Sequence, residues 1–253
     1  WFYSGSVLYA VEDYEGAIRS FSNMTERMDS LGQIAYFSDS FPHKLTNISQ
    51  FAKQQMSANG KTLRNFGYYQ WDNETACVEI WKRRLLNSMA KVKQLEGDTD
   101  VFTQNEVDFV SRKLKQFSQV INKNMCDASF EVDRLFYMFD EEQKPELWLR
   151  LKSGQEIKFD GLPAGYKRLY SIVLDLAYRA YLLNRQADVE PTGLAMIDEI
   201  DLHLHPSLET EVVERFTRTF PKLQFVMTSH SPLVVSNLAS KGQRNKVFTL
   251  VAG

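Results

Sequence analysis

The chain has 253 residues, of which 43% are hydrophobic and 25% are charged, an ordinary composition for a globular protein with a substantial core. Its formal net charge of −2 excludes a globally basic nucleic-acid-binding protein, so any such surface must be local. Cys77 and Cys126 match no metal-binding or redox spacing and predict reduced thiols in a cytoplasmic protein. No apolar run approaches the roughly 18–20 residues of a membrane helix, so we expect no membrane partner.

The first third of the chain predicts two strands and then an irregular region. Aromatic and β-branched residues favour strands over residues 1–13 and 33–37. Residues 41–73 are rich in Gln, Asn and Ser and predict a long irregular or partly helical connection. Within it, Gly60-Lys61-Thr62 resembles the end of a phosphate-binding loop, but Gln55 stands where that loop requires its first glycine. We therefore reject a phosphate-binding loop here.

Two amphipathic helices are predicted between residues 75 and 125. Apolar residues recur with three- and four-residue steps from Val78 to Val92 and again from Val107 to Ile121. This spacing gives each helix one apolar stripe and suits an antiparallel pair. Basic residues on the other faces could bind nucleic acid or a partner, but a solvated face balanced by nearby acids is the simpler interpretation. These residues are Lys82, Arg83, Arg84, Lys91, Lys93, Arg112, Lys113 and Lys115.

The second half of the chain predicts an α/β fold. Strands are predicted over residues 130–139, 146–151 and 155–159, followed by a strong helix that carries Leu169, Val173, Leu176 and Ala180 on one face. From about residue 160 helices and strands alternate, which predicts a largely parallel sheet. The later elements are strands over 194–197, 223–228 and 246–251, with a helix from Pro206 to about Thr219.

The apolar run 194–197 ends abruptly in two carboxylates, Asp198 and Glu199. Unbroken apolar residues are typical of a strand buried on both faces of a parallel sheet, and ligands bind beyond the carboxyl ends of such strands. One carboxylate there suits Mg²⁺ with its waters and phosphate oxygens, and the other can orient or deprotonate an attacking water. The alternative is a buried strand that simply runs into an acidic turn.

Histidines follow both of these strands. His230 lies just beyond the strand 223–228 and, if the two strands are neighbours, it meets the acid pair at one sheet edge, where it can contact a terminal phosphate or the attacking water. His203 and His205 lack a convincing third ligand, so we predict a loop there instead of a zinc site.

The loop Gly161–Arg168 precedes the strong helix and contains two glycines. Exposed amides at a helix N-terminus bind anions, and glycine lets a phosphate approach closely. The loop is therefore a candidate phosphate site, although many turns between strands and helices contain two glycines.

Together these motifs resemble a known family. The C-terminal ~95 residues resemble the second half of an ABC-type ATPase head of the RecF, SMC and OLD-like branch. Asp-Glu-Ile-Asp-Leu-His-Leu-His-Pro at 198–206 and Thr-Ser-His-Ser-Pro at 228–232 are similar to the bacterial "AAA family ATPase" group, which includes ATPase subunits of anti-phage systems such as Septu and some retrons. The expected fold is the C-terminal part of an α/β head with a largely parallel sheet and an inserted helical region.

The resemblance assigns roles to individual residues. It implies that Asp198 serves Mg²⁺ through water, that Glu199 is the catalytic base and that His230 is the switch histidine. The segment 200–205 would cross a dimer interface, with Asp201 among the ATP-binding residues. The signature loop, which binds the γ-phosphate of ATP held by the opposite protomer, would consist of Leu162, Pro163, Ala164, Gly165 and Tyr166.

Three departures from the family pattern are visible. Pro163 replaces the signature serine, so its hydroxyl contact is missing. The region after the 33–37 strand, Ser38 to Ser40, has no glutamine where a Q-loop would supply one. The sequence contains no Walker A loop, which in this family precedes everything present here, so we expect the natural protein to continue upstream of Trp1. The implied domains are a strand-rich part of the head over 1–40, a helical insertion over 41–128 and the rest of the head over 129–253.

The function implied by the resemblance is ATP binding and hydrolysis, with ATP and Mg²⁺, by a homodimer that closes around the nucleotide. Such a head would switch a partner or nucleic-acid activity in anti-phage defence or DNA maintenance. Candidate partners are an effector protein, a nuclease or a nucleic acid. The alternatives are a degenerate, non-hydrolysing assembly module and a transporter ATPase, which the helical insertion disfavours. Without Walker A, this chain alone is expected to be inactive and to bind ATP poorly.

Overall fold

The computed structural model describes residues 24, 28, 30–42, 53, 64–71, 77–94, 101–122, 128–186, 188–240 and 245–249. The strand predicted over residues 1–13, the Gly60-Lys61-Thr62 segment and Cys126 lie outside these ranges. No helix in these ranges combines the length and the apolar character that a membrane crossing requires.

The described residues alternate between strands and helices. In chain order the strands are β1 (Gln33–Phe37), β2 (Val132–Phe139), β3 (Pro145–Leu151), β4 (Glu156–Lys158), β5 (Gly193–Ile197) and β6 (Leu223–Met227). The α-helices are α1 (Cys77–Gln94), α2 (Val101–Ser118), α3 (Ala164–Asn184), α4 (Pro206–Glu209), α5 (Val212–Thr219) and α6 (Pro232–Ser240). Short 3₁₀ turns cover Arg64–Tyr68, Ala128–Phe130 and Phe159–Gly161. The α/β fold class is confirmed.

One sheet is parallel and has the order β1-β5-β6, with β5 as its central strand. Phe37 pairs with Ile197, and Ile197 pairs with Met227, so the three carboxyl ends lie level at one edge. The inward-facing side chains of β1 and β5 are buried and those of β6 are buried or half-buried, whereas Tyr36 and Val226 on the other face are 36% and 51% exposed. The expectation that β5 is buried on both faces is therefore met only in part among the described residues, because Leu194 and Met196 on its second face are half-buried.

A separate antiparallel sheet has the order β2-β3-β4. It contains the three strands predicted between residues 130 and 159, with bounds shifted by up to two residues. The strand predicted over residues 246–251 is wrong in its described part: residues 245–249 adopt no regular secondary structure. Val247 and Phe248 are 49% and 82% exposed and have no neighbouring strand to pair with among the described residues.

Helix α3 lies inside the hydrophobic core. Almost all of its residues are buried, because α1, α2, β1 and the 3₁₀ turn Arg64–Tyr68 surround it. Two of its buried charged residues pair with each other: Asp175 accepts a hydrogen bond from Trp81 Nε1 at 2.6 Å and forms an ion pair with Arg179. Arg179 in turn donates to the carbonyls of Gly67 at 3.0 Å and Tyr69 at 2.9 Å. A helix with apolar residues on all sides is stable only in such an enclosed position.

Helices α1 and α2 pack against each other and against α3 and share one hydrophobic core with it. The predicted domain boundaries at residues 40 and 128 stay a prediction.

The interpretation of the basic residues as a solvated or binding surface is wrong for three of them, because Lys82, Arg84 and Lys113 are buried. Each bonds to an acid that comes later in the chain. Lys82 Nζ lies 2.8 Å from Asp160, Arg84 Nε lies 2.8 Å from Glu106, and Lys113 Nζ lies 2.8 Å from Glu190.

The helix predicted from Pro206 to Thr219 is interrupted between α4 and α5. Glu211 has φ −116° and ψ −15° at this break. Its carboxylate accepts hydrogen bonds from the amides of Ile121 at 3.1 Å and Asn122 at 2.6 Å. A contact with a distant part of the chain therefore overrides the local helical pattern.

Candidate functional site

Asp198 and Glu199 directly follow the central strand β5. The amide of Asp198 donates to the carbonyl of Phe37 at 2.8 Å, and the amide of Thr228 donates to the carbonyl of Ile197 at 3.0 Å. The hydrogen bonding of the parallel sheet thus continues for one residue beyond the ends of β5 and β6. Asp198 is held between the two neighbours and its half-buried side chain faces the sheet edge, where ligands of parallel sheets bind.

The side chain of Thr228 links the two acidic residues. Its hydroxyl accepts a hydrogen bond from the amide of Glu199 at 2.8 Å and donates one to Asp198 Oδ1. Among the described residues no hydrogen bond engages the other carboxylate oxygen of Asp198. Sequence reasoning placed Thr228 at the end of a strand and assigned it no role. Its position two residues before His230 was the available signal.

Glu199 has φ 45°, in the left-handed region that a glutamate rarely adopts. The turn that it begins is closed by a hydrogen bond from the amide of Leu202 to its carbonyl at 3.0 Å. This backbone turns the Glu199 side chain toward the end of β6, where Glu199 Oε1 lies 3.7 Å from His230 Nε2. The two side chains are therefore close enough to contact one shared water molecule or phosphate oxygen.

His230 projects into solvent, and its side chain is 87% exposed, whereas that of Glu199 is 34% exposed. Its backbone amide lies 3.3 Å from Asp201 Oδ1, which ties the segment after β5 to the segment after β6. β5 and β6 are neighbours, so the acid pair, Asp201 and the imidazole lie at one edge of the sheet. Their catalytic and nucleotide-binding roles stay predictions.

Arg168 reaches this edge from inside the protein and was missed by sequence reasoning. Only 2% of it is exposed, and its guanidinium donates to the carbonyls of Glu199 at 3.0 Å, Asp198 at 2.6 Å and Ser38 at 3.2 Å. Burial lowers the pKa of Arg168, although the nearby carboxylates of Glu199 and Asp198 act in the opposite direction. No local sequence pattern marks this role, because the acceptors of Arg168 are main-chain atoms of other elements.

The predicted signature loop lies at the start of α3. Leu162 is buried, whereas Pro163 and Ala164 are exposed, and Pro163 precedes the helix without a side-chain capping bond. A Cβ at Gly165 would lie 2.5 Å from the carbonyl oxygen of His203, so packing alone requires this glycine. The Tyr166 ring lies 4.2 Å from that of Phe130.

Among the described residues, the Leu162–Tyr166 loop forms no hydrogen bond with the carboxylates of Asp198 or Glu199. The first two turns of α3 contact the segment after β5 at two places. Gly165 packs against the carbonyl of His203, and Arg168 donates to the carbonyls of Asp198 and Glu199. The amides at the start of a long helix can bind an anion. Whether they do so here stays a prediction.

The remaining polar residues of the region build the scaffold. His205 caps α4, since its Nδ1 accepts from the amide of Ser207 at 3.3 Å. Ser231 caps α6 through the amide of Leu233 at 3.2 Å and its hydroxyl donates to Glu209.

Among the described residues no group of three or more His, Cys, Asp or Glu residues is arranged to hold a metal ion. Asp198 offers one free carboxylate oxygen, which fits Mg²⁺ held mainly by phosphate oxygens and water.

Residues 69–236 match the model of a family described as "AAA domain, putative AbiEii toxin, Type IV TA system". The chain is 40% identical over 93 residues to the "Retron Vc95 probable ATPase" of Vibrio cholerae serotype O1 biovar El Tor, a segment covering 36% of this chain and 18% of that protein. It is 31% identical over 143 residues to the "Retron Ec83 probable ATPase" of Escherichia coli, which covers 54% of this chain and 26% of that protein. Over 81 residues it is 37% identical to the "Septu protein PtuA" of Bacillus mycoides (strain KBAB4), which covers 32% of this chain and 11% of that protein.

A solved structure described as "Structural biochemistry of ATP-driven dimerization and DNA stimulated activation of SMC ATPases" aligns with a TM-score of 0.37 and 14% identity, over 54% of this chain and 76% of that chain. The matched segments span about a quarter or less of the retron and Septu proteins. The family match covers more than half of the chain. The resemblance to anti-phage ATPases is confirmed, and the chain belongs to the AAA-domain family described as "putative AbiEii toxin, Type IV TA system".

Proposed function

We propose that this chain is the part of an ATP-hydrolysing head that carries the Mg²⁺ carboxylate, the catalytic base and the switch histidine. The observation that supports this most is the 3.7 Å approach of Glu199 Oε1 to His230 Nε2 beside Asp198, at the level edge of three parallel strands. ABC-type heads perform their chemistry at an edge of this kind, and the two similar retron proteins named as probable ATPases suggest ATP as the nucleotide to test first.

Each residue would have a distinct task in this mechanism. Thr228 occupies one oxygen of Asp198 and leaves the other to bind a water of the Mg²⁺ shell. Glu199 orients the attacking water and accepts its proton, while His230 donates to the γ-phosphate or the same water. Bound Mg²⁺ neutralises charge on the phosphates, and the protein contributes mainly positioning.

The exposure of the site supports a dimeric mechanism. A side chain that is 87% exposed, such as His230, cannot exclude water from a reaction. A second protomer facing this edge would bury the nucleotide and bring its own Leu162–Tyr166 loop to the γ-phosphate. Closure on ATP and reopening on hydrolysis would then switch a partner activity.

The biological setting that we propose is anti-phage defence in the cytoplasm, because the similar proteins are a Septu protein and two retron probable ATPases. The switched partner would be an effector protein, for example a nuclease, or a nucleic acid. DNA maintenance has weaker support, because none of these three names refers to it.

The test is steady-state ATP turnover by the protein in its full natural length, beside its Glu199→Gln and His230→Ala variants. We expect turnover to fall by about 100-fold or more in Glu199→Gln, in line with removal of a general base, while ATP binding persists. Glu142→Gln is the matched control, because it is the same change at an exposed residue of the β2–β3 turn.

A non-hydrolysing assembly module is the second candidate, favoured by Pro163 in place of the signature serine. Bound ATP without turnover in the wild-type protein would support it and overturn the hydrolytic mechanism. This chain alone lacks a Walker A loop, so we expect calorimetry to give a dissociation constant for ATP of about 10⁻³ M or weaker.

A further inference from the structure

Arg168 lies beneath the candidate site, and the mechanism above does not use it. Its guanidinium donates to the carbonyl of Ser38, which follows β1, and to those of Asp198 and Glu199, which follow β5. These are main-chain acceptors, and within the described residues Arg168 forms no ion pair with a carboxylate. Its Nε is buried and has no hydrogen-bond partner there.

An arginine in this environment is not the residue that packing alone would favour. Burying a cation without a paired carboxylate is unfavourable, and burial accordingly lowers the pKa of Arg168. The acids Asp198, Glu199 and Asp201 offset part of this penalty through their charge. A guanidinium is nevertheless the one side chain with enough fixed donors to hold three carbonyls at once.

One of these hydrogen bonds acts directly on Glu199, the residue whose backbone is strained. Glu199 has φ 45°, and both of its peptide groups are held: Thr228 Oγ1 binds its amide and Arg168 Nη1 binds its carbonyl. Without these bonds a glutamate would favour the right-handed region, and its side chain would point elsewhere. The 3.7 Å approach to His230 therefore depends on both contacts.

The same helix contacts the other end of this segment. Gly165, one helical turn before Arg168 in α3, packs so closely on the carbonyl of His203 that a Cβ would lie 2.5 Å from its oxygen. The first two turns of α3 thus contact residues 198–203 at both ends. A shift of the α3 N-terminus cannot occur without displacing the backbone of Glu199.

We propose that Arg168 is a positioning residue that couples the Leu162–Tyr166 loop to Glu199, so that the carboxylate is aligned only when this loop is correctly placed. This inference rests on the proposed ATPase function. It goes beyond that function because it names the internal connection by which an event at the loop would control hydrolysis.

The experiment compares Arg168→Lys and Arg168→Met with Arg150→Met in the protein of full natural length. Arg150→Met is the same change at a partly exposed arginine of β3, which pairs with Glu156 on the antiparallel sheet, outside the candidate site. The measurements are kcat and KM for ATP, the thermal unfolding midpoint, and amide hydrogen exchange of residues 198–204.

We expect Arg168→Met to lower kcat by about 10- to 100-fold with KM within about threefold, because misplacement of a catalytic group acts on the chemical step. Arg168→Lys should recover part of kcat, since one ammonium can replace some of the bonds. Exchange should accelerate in residues 198–204 ahead of the rest of the chain, and Arg150→Met should match the wild-type protein in turnover and in the exchange of these residues.

Two results would overturn the inference: kcat and exchange unchanged in Arg168→Met, or a general loss of stability with exchange accelerated throughout and no preference for residues 198–204. If the wild-type protein shows no turnover, the proposed function fails separately. Hydrogen exchange then still decides whether Arg168 holds the Glu199 segment.

Discussion

The hydroxyl of Thr228 donates a hydrogen bond to the carboxylate of Asp198, across the junction between two parallel strands. The same hydroxyl accepts the amide hydrogen of Glu199 at 2.8 Å. One side chain at the end of β6 therefore fixes the side chain of the first acid and the backbone of the second. The orientation of Asp198 and Glu199 therefore depends on the neighbouring strand as well as on β5.

Replacing Thr228 by valine keeps the shape of the side chain and removes both hydrogen bonds. Water can reach this site, so we expect a loss of only about 0.5–1.5 kcal/mol in unfolding free energy. Turnover should fall by about tenfold or more, because Asp198 and Glu199 are no longer oriented. Thr228→Ser, which retains the hydroxyl, is the matched control. Equal turnover of the valine and serine variants would show that the hydroxyl does not position the acids.

The positions of Asp198, Glu199 and His230 followed from local sequence, because an apolar run that ends in polar residues marks the carboxyl end of a strand. Thr228 and Arg168 could not be found in this way. The role of each depends on a partner from a neighbouring element: Thr228 contacts a residue 30 positions away, and Arg168 contacts Ser38 at a separation of 130. Periodicity shows which residues face the core and carries no information about such pairings.

Gly165 provides a test of the packing between α3 and the segment after β5. A Cβ at this position would lie 2.5 Å from the His203 carbonyl oxygen and 3.0 Å from Leu204 Cδ2. Gly165→Ala should destabilise the protein by about 1–3 kcal/mol, as expected for overpacking, although alanine favours helix formation. The measurement is urea-induced unfolding.

Gly161→Ala is the matched control for this change, because its added Cβ would have no neighbour closer than 3.9 Å. We expect its unfolding free energy to stay within about 0.5 kcal/mol of the wild-type value. A Gly165→Ala variant as stable as the control would mean that the His203 segment moves aside freely.

The buried ion pair between Arg84 and Glu106 joins α1 to α2. The side chains are 4% and 1% exposed, and Arg84 Nε lies 2.8 Å from Glu106 Oε1. Burial alone would lower the pKa of Arg84, but the Glu106 carboxylate raises it above its ordinary value, so the pair stays charged. Arg84→Met leaves a buried carboxylate unpaired and should cost about 3–5 kcal/mol in unfolding free energy.

Arg150→Met is the comparison, since Arg150 and Glu156 form a partly exposed pair on the antiparallel sheet. Loss of that pair should cost about 0–1 kcal/mol. Chemical denaturation of both variants measures the difference. Similar losses in the two variants would contradict the assignment of Arg84 to the core.

The helices that carry these charges show where the sequence is ambiguous. The apolar stripes from Val78 and from Val107 predicted both helices correctly, but Lys82, Arg84 and Lys113 were assigned to a solvated face. Their partners Asp160, Glu106 and Glu190 lie 78, 22 and 77 residues further along the chain. A basic residue opposite an apolar stripe looks the same in the sequence whether water or a third helix covers it.

Glu211 makes the stability of the protein depend on pH. Burial raises the pKa of its carboxyl group, but hydrogen bonds from the amides of Ile121 and Asn122 and the charge of Arg215 outweigh burial, and the pKa lies below its ordinary value. The folded-state pKa is thus lower than the unfolded-state pKa. The stabilisation is complete above the unfolded value of about 4.3 and is lost as the pH falls through the folded value.

We therefore expect the unfolding free energy of the wild-type protein to fall more steeply below about pH 4.3 than that of Glu211→Gln, which has no proton to bind at this position. The glutamine variant should be less stable near neutral pH, because Arg215 loses its charged partner. Denaturation curves recorded at several pH values measure both effects, with Glu142→Gln on the exposed β2–β3 turn as the control. Parallel pH profiles for the wild-type and Glu211→Gln proteins would show that the carboxylate is not held by the amides after α2. A steeper wild-type profile would show that the charged Glu211 carboxylate stabilises the junction of α2 and α5.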